Sequence, residues 1–349
     1  MTTPIEVAWF AALCDDDYEF LGVTDPVLQS SYEHCRDIVL RAQWHGFHNV
    51  LLPSGYQLGI DSVAFAAAVA PEVDRMRMLV AVRAGELWPP QLARQLATLD
   101  ALLDGRLTIN IISSDLPGET LSSPDRYART SEVMHILREL LSGRSIDHHG
   151  DFYDFELDPP RAVMSRSCPS LYFGGLSDDA REVAAEHADV YLMWPDTEEA
   201  VSELVADMTA RAARHDRTLR FGYRVHTIVR DTESEARAAA ELLVSRLDDD
   251  EGDRIRARSL DSQSVGVRRQ AELREQAEVA DGYVEDCLWT GIGRARSGCG
   301  AAIVGDPDQV AAKLARYRAL GIDAFILSGY PHLDACDRFG ITVLPRLTP

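Results

Sequence analysis

The chain has 349 residues, enough to bury a large core, and its 46% hydrophobic and 26% charged composition is that of a folded globular protein. A formal net charge of −21, from 35 basic and 56 acidic residues, speaks against nucleic acid and anionic membranes as partners. It also makes inward-facing arginines informative, because an anionic ligand then needs local cations to overcome the general field.

Six cysteines (Cys14, Cys35, Cys168, Cys287, Cys299 and Cys336) are scattered without a CxxC pair or zinc-like spacing, the usage of free thiols in a reducing compartment. Ten histidines show no pairing at strand ends that would suit a metal, and His148-His149 falls in a polar stretch expected to be solvated. The opening MTTPIEVAWF runs directly into a strand-like segment with no basic n-region, which argues against a signal peptide. No apolar stretch approaches the ~20 residues needed to span a bilayer, so the expectation is a cytoplasmic protein.

Along the chain one phrase recurs: an amphipathic helix, a breaker, then a short apolar run. The first run is EVAWF. Residues 33–45 follow, with Ile38, Val39, Ala42 and Trp44 as the apolar positions, then Gly46 and the run VLLP. MLVAV comes next; Leu92, Leu96, Leu99 and Leu103 share a helical face, and Gly105 precedes LTINII. Val133, Ile136, Leu137 and Leu140 line a helix that ends near Gly143. LYFGG, VYLMW and HTIVR lead to Val310, Leu314 and Tyr317, then Gly321 and AFILS. Glycine after a last helical turn supplies the left-handed stop, and apolar runs this continuous suit strands buried on both faces by crossover helices. Eight such strands predict an α/β fold, a (β/α)8 TIM barrel; a doubly wound open sheet is the competing architecture.

Two stretches break the rhythm within what reads as one barrel domain over 1–349. Residues 143–170 form a mixed, proline-containing excursion before strand five. Residues 247–290, from the acidic Asp248–Glu251 through an arginine-rich segment, are too long for an ordinary loop and are expected to form a mobile lid. A solvated structural insertion is the alternative.

In a barrel, chemistry gathers at the C-terminal ends of strands. Trp194 closes VYLMW; Arg224 and His226 alternate on one strand and so share a face; Arg296 sits in GIGRARSGCG; Tyr330 and His332 end FILSGYPH; Asn110, Ser113 and Ser114 end LTINIISSD. Two inward arginines suggest capture of a carboxylate, phosphate or sulfonate through paired hydrogen bonds, against the blander reading of structural ion pairs. His226 is a candidate acid–base group, against that of a core histidine bonded to backbone. Gly174-Gly175 followed by Ser177 at a helix start matches a phosphate cradle, although a tight βα turn has the same pattern.

Taken in order, the segments resemble the luciferase-like flavin monooxygenases, and within them the two-component alkanesulfonate monooxygenases. The matching phrases are AWF at 8–10, RQLATLDALLDGRLTINI at 94–111, LYFGG at 171–175 and DVYLMW at 189–194. They continue with RFGYRVHTIVRDTESEA at 220–236, SVG at 264–266, LWTGIGRARSGCGAAIVGD at 288–306 and LGIDAFILSGYPHL at 320–333. The resemblance implies a bacterial luciferase-like barrel that receives FMN as FMNH2 from a separate NAD(P)H-dependent flavin reductase. With O2 as co-substrate it would cleave the C–S bond of a small organosulfonate, giving aldehyde and sulfite. It further implies that Arg224 and Arg296 clamp the anion, with Trp194, His226 and Tyr330 completing the pocket. His226 or Arg224 would transfer protons and Tyr330 would donate a hydrogen bond. Asn110, Tyr127, Gly174, Gly175 and Ser177 would hold FMN, the 247–290 segment would be the lid, and the assembly would be a homodimer or homotetramer.

Two departures from the family pattern stand out. PSGYQLGID at 53–61 lacks the family's cysteine after strand two, and Cys14 replaces a histidine near the end of strand one. The stretch IISSDLPGE after Asn110 also lacks the family's glycine-containing turn. These changes keep two further readings open: oxygenation of a non-sulfonate biosynthetic substrate (an amine, sulfone or amide), and flavin binding without turnover. A deazaflavin-dependent oxidoreductase would also fit the fold.

Overall fold

The computed structural model describes residues 5–163, 167–257, 264–296 and 298–347; residues 164–166 of the excursion and 258–263 of the expected lid lie outside it. Eight parallel strands close into a barrel: β1 (Glu6–Phe10), β2 (Asn49–Leu52), β3 (Arg77–Arg83), β4 (Leu107–Ile112), β5 (Leu171–Phe173), β6 (Val190–Met193), β7 (Arg220–Val229) and β8 (Ile322–Ser328). Each pairs with its neighbours in chain order, and β8 closes on β1 through the register Glu6–Ala324 to Trp9–Leu327. Every apolar run read from the sequence contributes a barrel strand.

The strands alternate between two cores. Val7, Trp9, Val50, Val80, Ile109, Tyr223 and Phe325 face the helical shell, whereas Ala8, Phe10, Leu51, Leu79, Tyr172, Val190 and Ile326 fill the barrel. The helices form as their spacing dictates, with Ser31, Asp61, Ser122, Ser177 and Thr197 as side-chain N-caps. The helix Tyr32–His45 buries Ile38, Val39 and Ala42, but Trp44 is 72% exposed. Two residues beyond Ala42 is about 200° around a helix, so Trp44 falls off the apolar stripe.

β7 outruns the barrel. Phe221–His226 pair with β8, and from His226 onward the strand pairs in parallel with Ala302–Gly305. The latter continues antiparallel into Leu288–Trp289 and Tyr283–Glu285. His226 therefore sits at a fork between β8 and the added strands. The excursion carries a hairpin, Ile146–His149 with Asp154–Leu157, rather than irregular loop. Glu132 accepts from the backbone N–H groups of Asp151, Phe152 and Tyr153 at its turn. His148 bonds Glu132 while His149 is 72% exposed, so only the second of the pair is solvated. The 247–290 segment contains helices Asp249–Ala257 and Val265–Ala277.

Candidate active site

β7 places Arg224 and His226 on the same side, and both are almost fully buried at the C-terminal mouth of the barrel. The Arg224 guanidinium donates to Ser328 Oγ (2.8 Å) and the Val225 carbonyl (3.0 Å), and it lies 4.4 Å from the centre of the Phe10 ring. Among the described residues no carboxylate lies within ion-pair distance of it. Burial, then the neighbouring Arg296, lowers its pKa, against a raising contribution from Cys299.

Ser328 Oγ also lies 2.7 Å from His226 Nδ1. Ser328 accepts from Arg224, which offers only donors, and its own hydroxyl proton is then available to Nδ1 of a neutral imidazole. In that arrangement the neutral imidazole carries its proton on Nε2, which is buried without a hydrogen-bond partner among the described residues. Burial, Arg224 and Arg296 hold the imidazole pKa well below its ordinary value. With Ser328 donating to Nδ1, His226 presents an N–H donor at Nε2.

Tyr330 stacks on His226 (centroids 5.1 Å apart) and accepts a 2.9 Å bond from Arg296 Nη1, leaving its own O–H free to donate. Burial raises the phenol pKa, partly offset by Arg296, so it stays protonated. Arg296 also donates to Asp16 Oδ2 at 2.9 Å. Burial opposes its charge, but Tyr330 and Asp16 prevail and keep it cationic. Arg224 is therefore the arginine without an acidic partner, and Arg296 is the one in an ion pair.

The run Asp15-Asp16-Asp17 after β1 organises this mouth. Asp15 accepts from the backbone N–H groups of Ser30 and Gly59. Asp17 accepts from the backbone N–H of His332, lies 2.9 Å from His332 Nδ1, and reaches His34 Nε2 at 2.9 Å. Burial works against the Asp17 charge, but His332 and His34 hold its carboxyl far below the usual range. The two family departures touch each other here: Ile60 N–H donates to the Leu13 carbonyl, and a Cβ on Gly55 would lie 3.2 Å from Cys14 Sγ. Burial, then Asp16, pushes the Cys14 thiol up, so it is no thiolate nucleophile.

Trp194 is held between two glycines. A Cβ on Gly266, in the helix Val265–Ala277, would sit 2.9 Å from its ring, and one on Gly298 would sit 3.0 Å away. Arg269 of that helix grips Asp196 with two 2.7 Å bonds. Asn110 is half-buried on β4, two residues beyond Thr108, which bonds Asn49 inside the barrel. Arg83 donates to Ser114 Oγ at 2.6 Å on the same rim.

At the end of β5 the chain turns tightly into the next helix. A Cβ on Gly174 would meet the Leu192 carbonyl oxygen at 1.8 Å, so glycine is required by close approach to β6. Gly175 has φ 155°, its carbonyl accepts from Tyr191 OH at 2.6 Å, and a Cβ there would lie 3.5 Å from Tyr127 OH. Ser177 caps the helix Asp178–His187. Asp178 is turned outward into ion pairs with Arg181 and Arg211 and does not oppose an anion at the helix start. Open backbone, a helix N-terminus and a phenol suit the phosphate of a flavin nucleotide.

The luciferase-like monooxygenase family profile matches residues 20–324. The chain belongs to the luciferase-like monooxygenase family. It is 63% identical over 350 residues to a sulfoquinovose monooxygenase of Novosphingobium aromaticivorans, covering 98% of this chain and 96% of that one. A sulfoquinovose monooxygenase of Agrobacterium fabrum is 54% identical over 345 residues, covering 98% and 89%. The EDTA monooxygenase of Chelativorans sp. BNC1 shares the fold, with a TM-score of 0.75 at 17% identity over 99% of this chain and 93% of that one. This luciferase-like protein is a flavin-dependent monooxygenase.

Of the expected site residues, the monooxygenase brings Arg224, His226, Arg296 and Tyr330 into one bonded and stacked cluster. It gathers Tyr127, Gly174, Gly175 and Ser177 into a second cluster at the end of β5. Trp194 packs under the 265–277 helix, and Asn110 stands on the barrel rim. Sequence reasoning missed Asp16, Asp17, Ser328 and Phe10. The signal for the first two was the acidic triplet directly after a barrel strand, where three charges in a row otherwise suggest a solvated turn. Among the described residues no helix is long and apolar enough to cross a membrane.

Proposed function

We propose that this monooxygenase cleaves the C–S bond of sulfoquinovose, a glucose that carries a sulfonate in place of its 6-hydroxyl. FMNH2 from a separate NAD(P)H-dependent reductase and O2 are the co-reactants. One oxygen atom ends in an aldehyde at the carbon that held sulfur and the other in water; sulfite leaves and FMN is returned. The observation that carries the reading is Arg224: a guanidinium 3% exposed, whose partners among the described residues are a hydroxyl, a carbonyl and an aromatic face. A buried cation of that kind is costly alone and is offset by an incoming anion. Substrate identity is drawn from the sulfoquinovose monooxygenases to which the chain is similar.

The residues divide the work. Arg224 and Arg296 hold the sulfonate; His226 Nε2–H and Tyr330 O–H add neutral donors toward oxygen atoms that gain charge. Bound FMNH2, its phosphate at Gly174, Gly175, Ser177 and Tyr127 and with Asn110 beside it, would supply the reducing electrons and the site of oxygen activation. Phe10 and Trp194 keep water from the mouth. The 247–290 segment acts as the lid, with the Arg269–Asp196 pair as its catch over Trp194.

The test is sulfite release from purified protein with FMN, NADH, a general flavin reductase, O2 and sulfoquinovose. Sulfite should appear only with all components present. Normal FMNH2 oxidation without sulfite would overturn the substrate assignment while leaving the family intact.

A further inference from the structure

We propose that Asp16 selects a polyhydroxylated sulfonate over a plain alkanesulfonate, its Oδ1 accepting a hydrogen bond from a substrate hydroxyl. The inference rests on the sulfonate reading above and names what recognises the rest of the molecule. Asp16 is nine-tenths buried, and its Oδ2 is taken by Arg296 at 2.9 Å. Oδ1 is buried with no hydrogen-bond partner among the described residues.

The neighbouring aspartates show that this is particular to Asp16. Asp15 uses Oδ1 for Ser30 and Oδ2 for Gly59; Asp17 uses Oδ1 for His332 and Oδ2 for His34. Asp16 alone of the three keeps an oxygen over. Arg296, which holds Asp16, also donates to the Tyr330 hydroxyl, and Tyr330 stacks on His226, so Asp16 belongs to the same bonded cluster at the mouth.

A pocket meant only for an alkanesulfonate gains nothing from this residue. A carboxylate there partly neutralises Arg296 and repels the sulfonate. Arg224, Arg296, His226 Nε2–H and Tyr330 O–H are all donors, matched to sulfonate oxygens. Asp16 Oδ1 accepts, and its complement is an O–H close to the anionic group. A sugar sulfonate provides both, and a buried acceptor left unpaired by an analogue lacking the hydroxyl penalises that analogue.

The experiment compares wild type with Asp16→Ala on two six-carbon sulfonates: sulfoquinovose and hexane-1-sulfonate, which has the same C–S bond and no hydroxyl. Hexane-1-sulfonate is read by sulfite release, or by its Ki against sulfoquinovose where it does not turn over. In Asp16→Ala, kcat/KM for sulfoquinovose should fall about 10- to 100-fold. Hexane-1-sulfonate should bind as tightly as before or tighter, because Arg296 is no longer neutralised. Equal losses on both substrates would make Asp16 only a support for Arg296 and overturn the proposal, as would an unchanged sulfoquinovose rate. Melting curves check folding, and Asp16→Leu, close in size and without a polar atom, carries the same comparison if Asp16→Ala does not fold. Wild type that makes no sulfite from sulfoquinovose would sink the substrate assignment and this inference with it. An active wild type with an unmoved substrate ratio in the variant sinks only the role of Asp16.

Discussion

The two ends of the barrel handle buried charge in opposite ways. At the N-terminal end, Glu6 accepts from Asn49 Nδ2 (3.0 Å) and Tyr172 OH (2.7 Å), and its other oxygen faces Arg220 at 3.4 Å. Arg220 in turn meets Asp323 at 3.1 Å, and Asn49 reaches Thr108. At the C-terminal end, Arg224 has no acid, and His226 Nε2, His332 Nε2 and Asp16 Oδ1 are buried without hydrogen-bond partners among the described residues. Folding alone favours the first arrangement, since each unpaired buried group costs on the order of 1–3 kcal/mol. The second persists where a ligand completes it. At the N-terminal end acid and base are paired within the fold; at the C-terminal mouth a donor, an acceptor and a lone cation are left together for a ligand to complete.

The largest test of that contrast is Arg224→Met. It should lower kcat/KM by roughly 10²- to 10³-fold, because a buried charge contact to the anion is lost. Its melting temperature should stay level or rise, since an unpaired cation leaves the interior. A clear drop in stability would mean that Arg224 serves the fold. Glu6→Ala is the mirror experiment. Stranding Tyr172, Asn49 and one side of Arg220 should cost roughly 2–4 kcal/mol in denaturant unfolding, with kcat/KM per folded molecule nearly unchanged.

Asp17 sharpens the comparison because it is a fully used carboxylate at the open end. Asp17→Asn should cost roughly 1–3 kcal/mol and also lower kcat, since one amide oxygen cannot both accept from His34 and orient the His332 ring beside Tyr330. The Asp17 carboxyl is depressed in the fold, so its contribution is present above the ordinary carboxylate pKa. It is lost as pH falls through the folded value. Acid unfolding of the variant should accordingly be shallower at the low-pH end, and an unchanged profile would remove Asp17 from the network.

How far these features were legible in the sequence follows from how far apart the partners are. The eight strands were readable because burial on both faces leaves continuous apolar runs, and Arg224 with His226 because a strand repeats every two residues. Gly174, Gly175 and Ser177 announced themselves as a local strand–turn–helix phrase. Arg296 and Asp16 are 280 residues apart, and Asp17 and His332 are 315 apart. No local pattern links them, and a run of three aspartates has the same composition as a solvated turn. The hairpin at 146–157 escaped for a related reason: its strands are largely polar, and Glu132 holds its turn from another element. The departures at Cys14 and 53–61 looked like two changes until the fold placed them in contact.

The smallest predicted effect is a slope. His226 is buried neutral, its pKa lowered first by burial and then by Arg224 and Arg296, whereas in the unfolded chain it titrates near 6.5. Below about pH 6.5 the unfolded state takes up a proton that the folded state refuses, so stability must fall as pH drops. One such group contributes at most about 1.4 kcal/mol per pH unit. His187, lowered to about 4 chiefly by burial, adds a contribution of the same sign. Between pH 6.5 and 5.5 the wild-type unfolding free energy should therefore decline more steeply than that of His226→Asn, whatever the variant's absolute level. A decline steeper in His226→Asn than in the wild type would mean that His226 is protonated in the fold. The open end of the barrel would then carry a third cation beside Arg224 and Arg296, and the donor assigned to Nε2 would be half of an imidazolium.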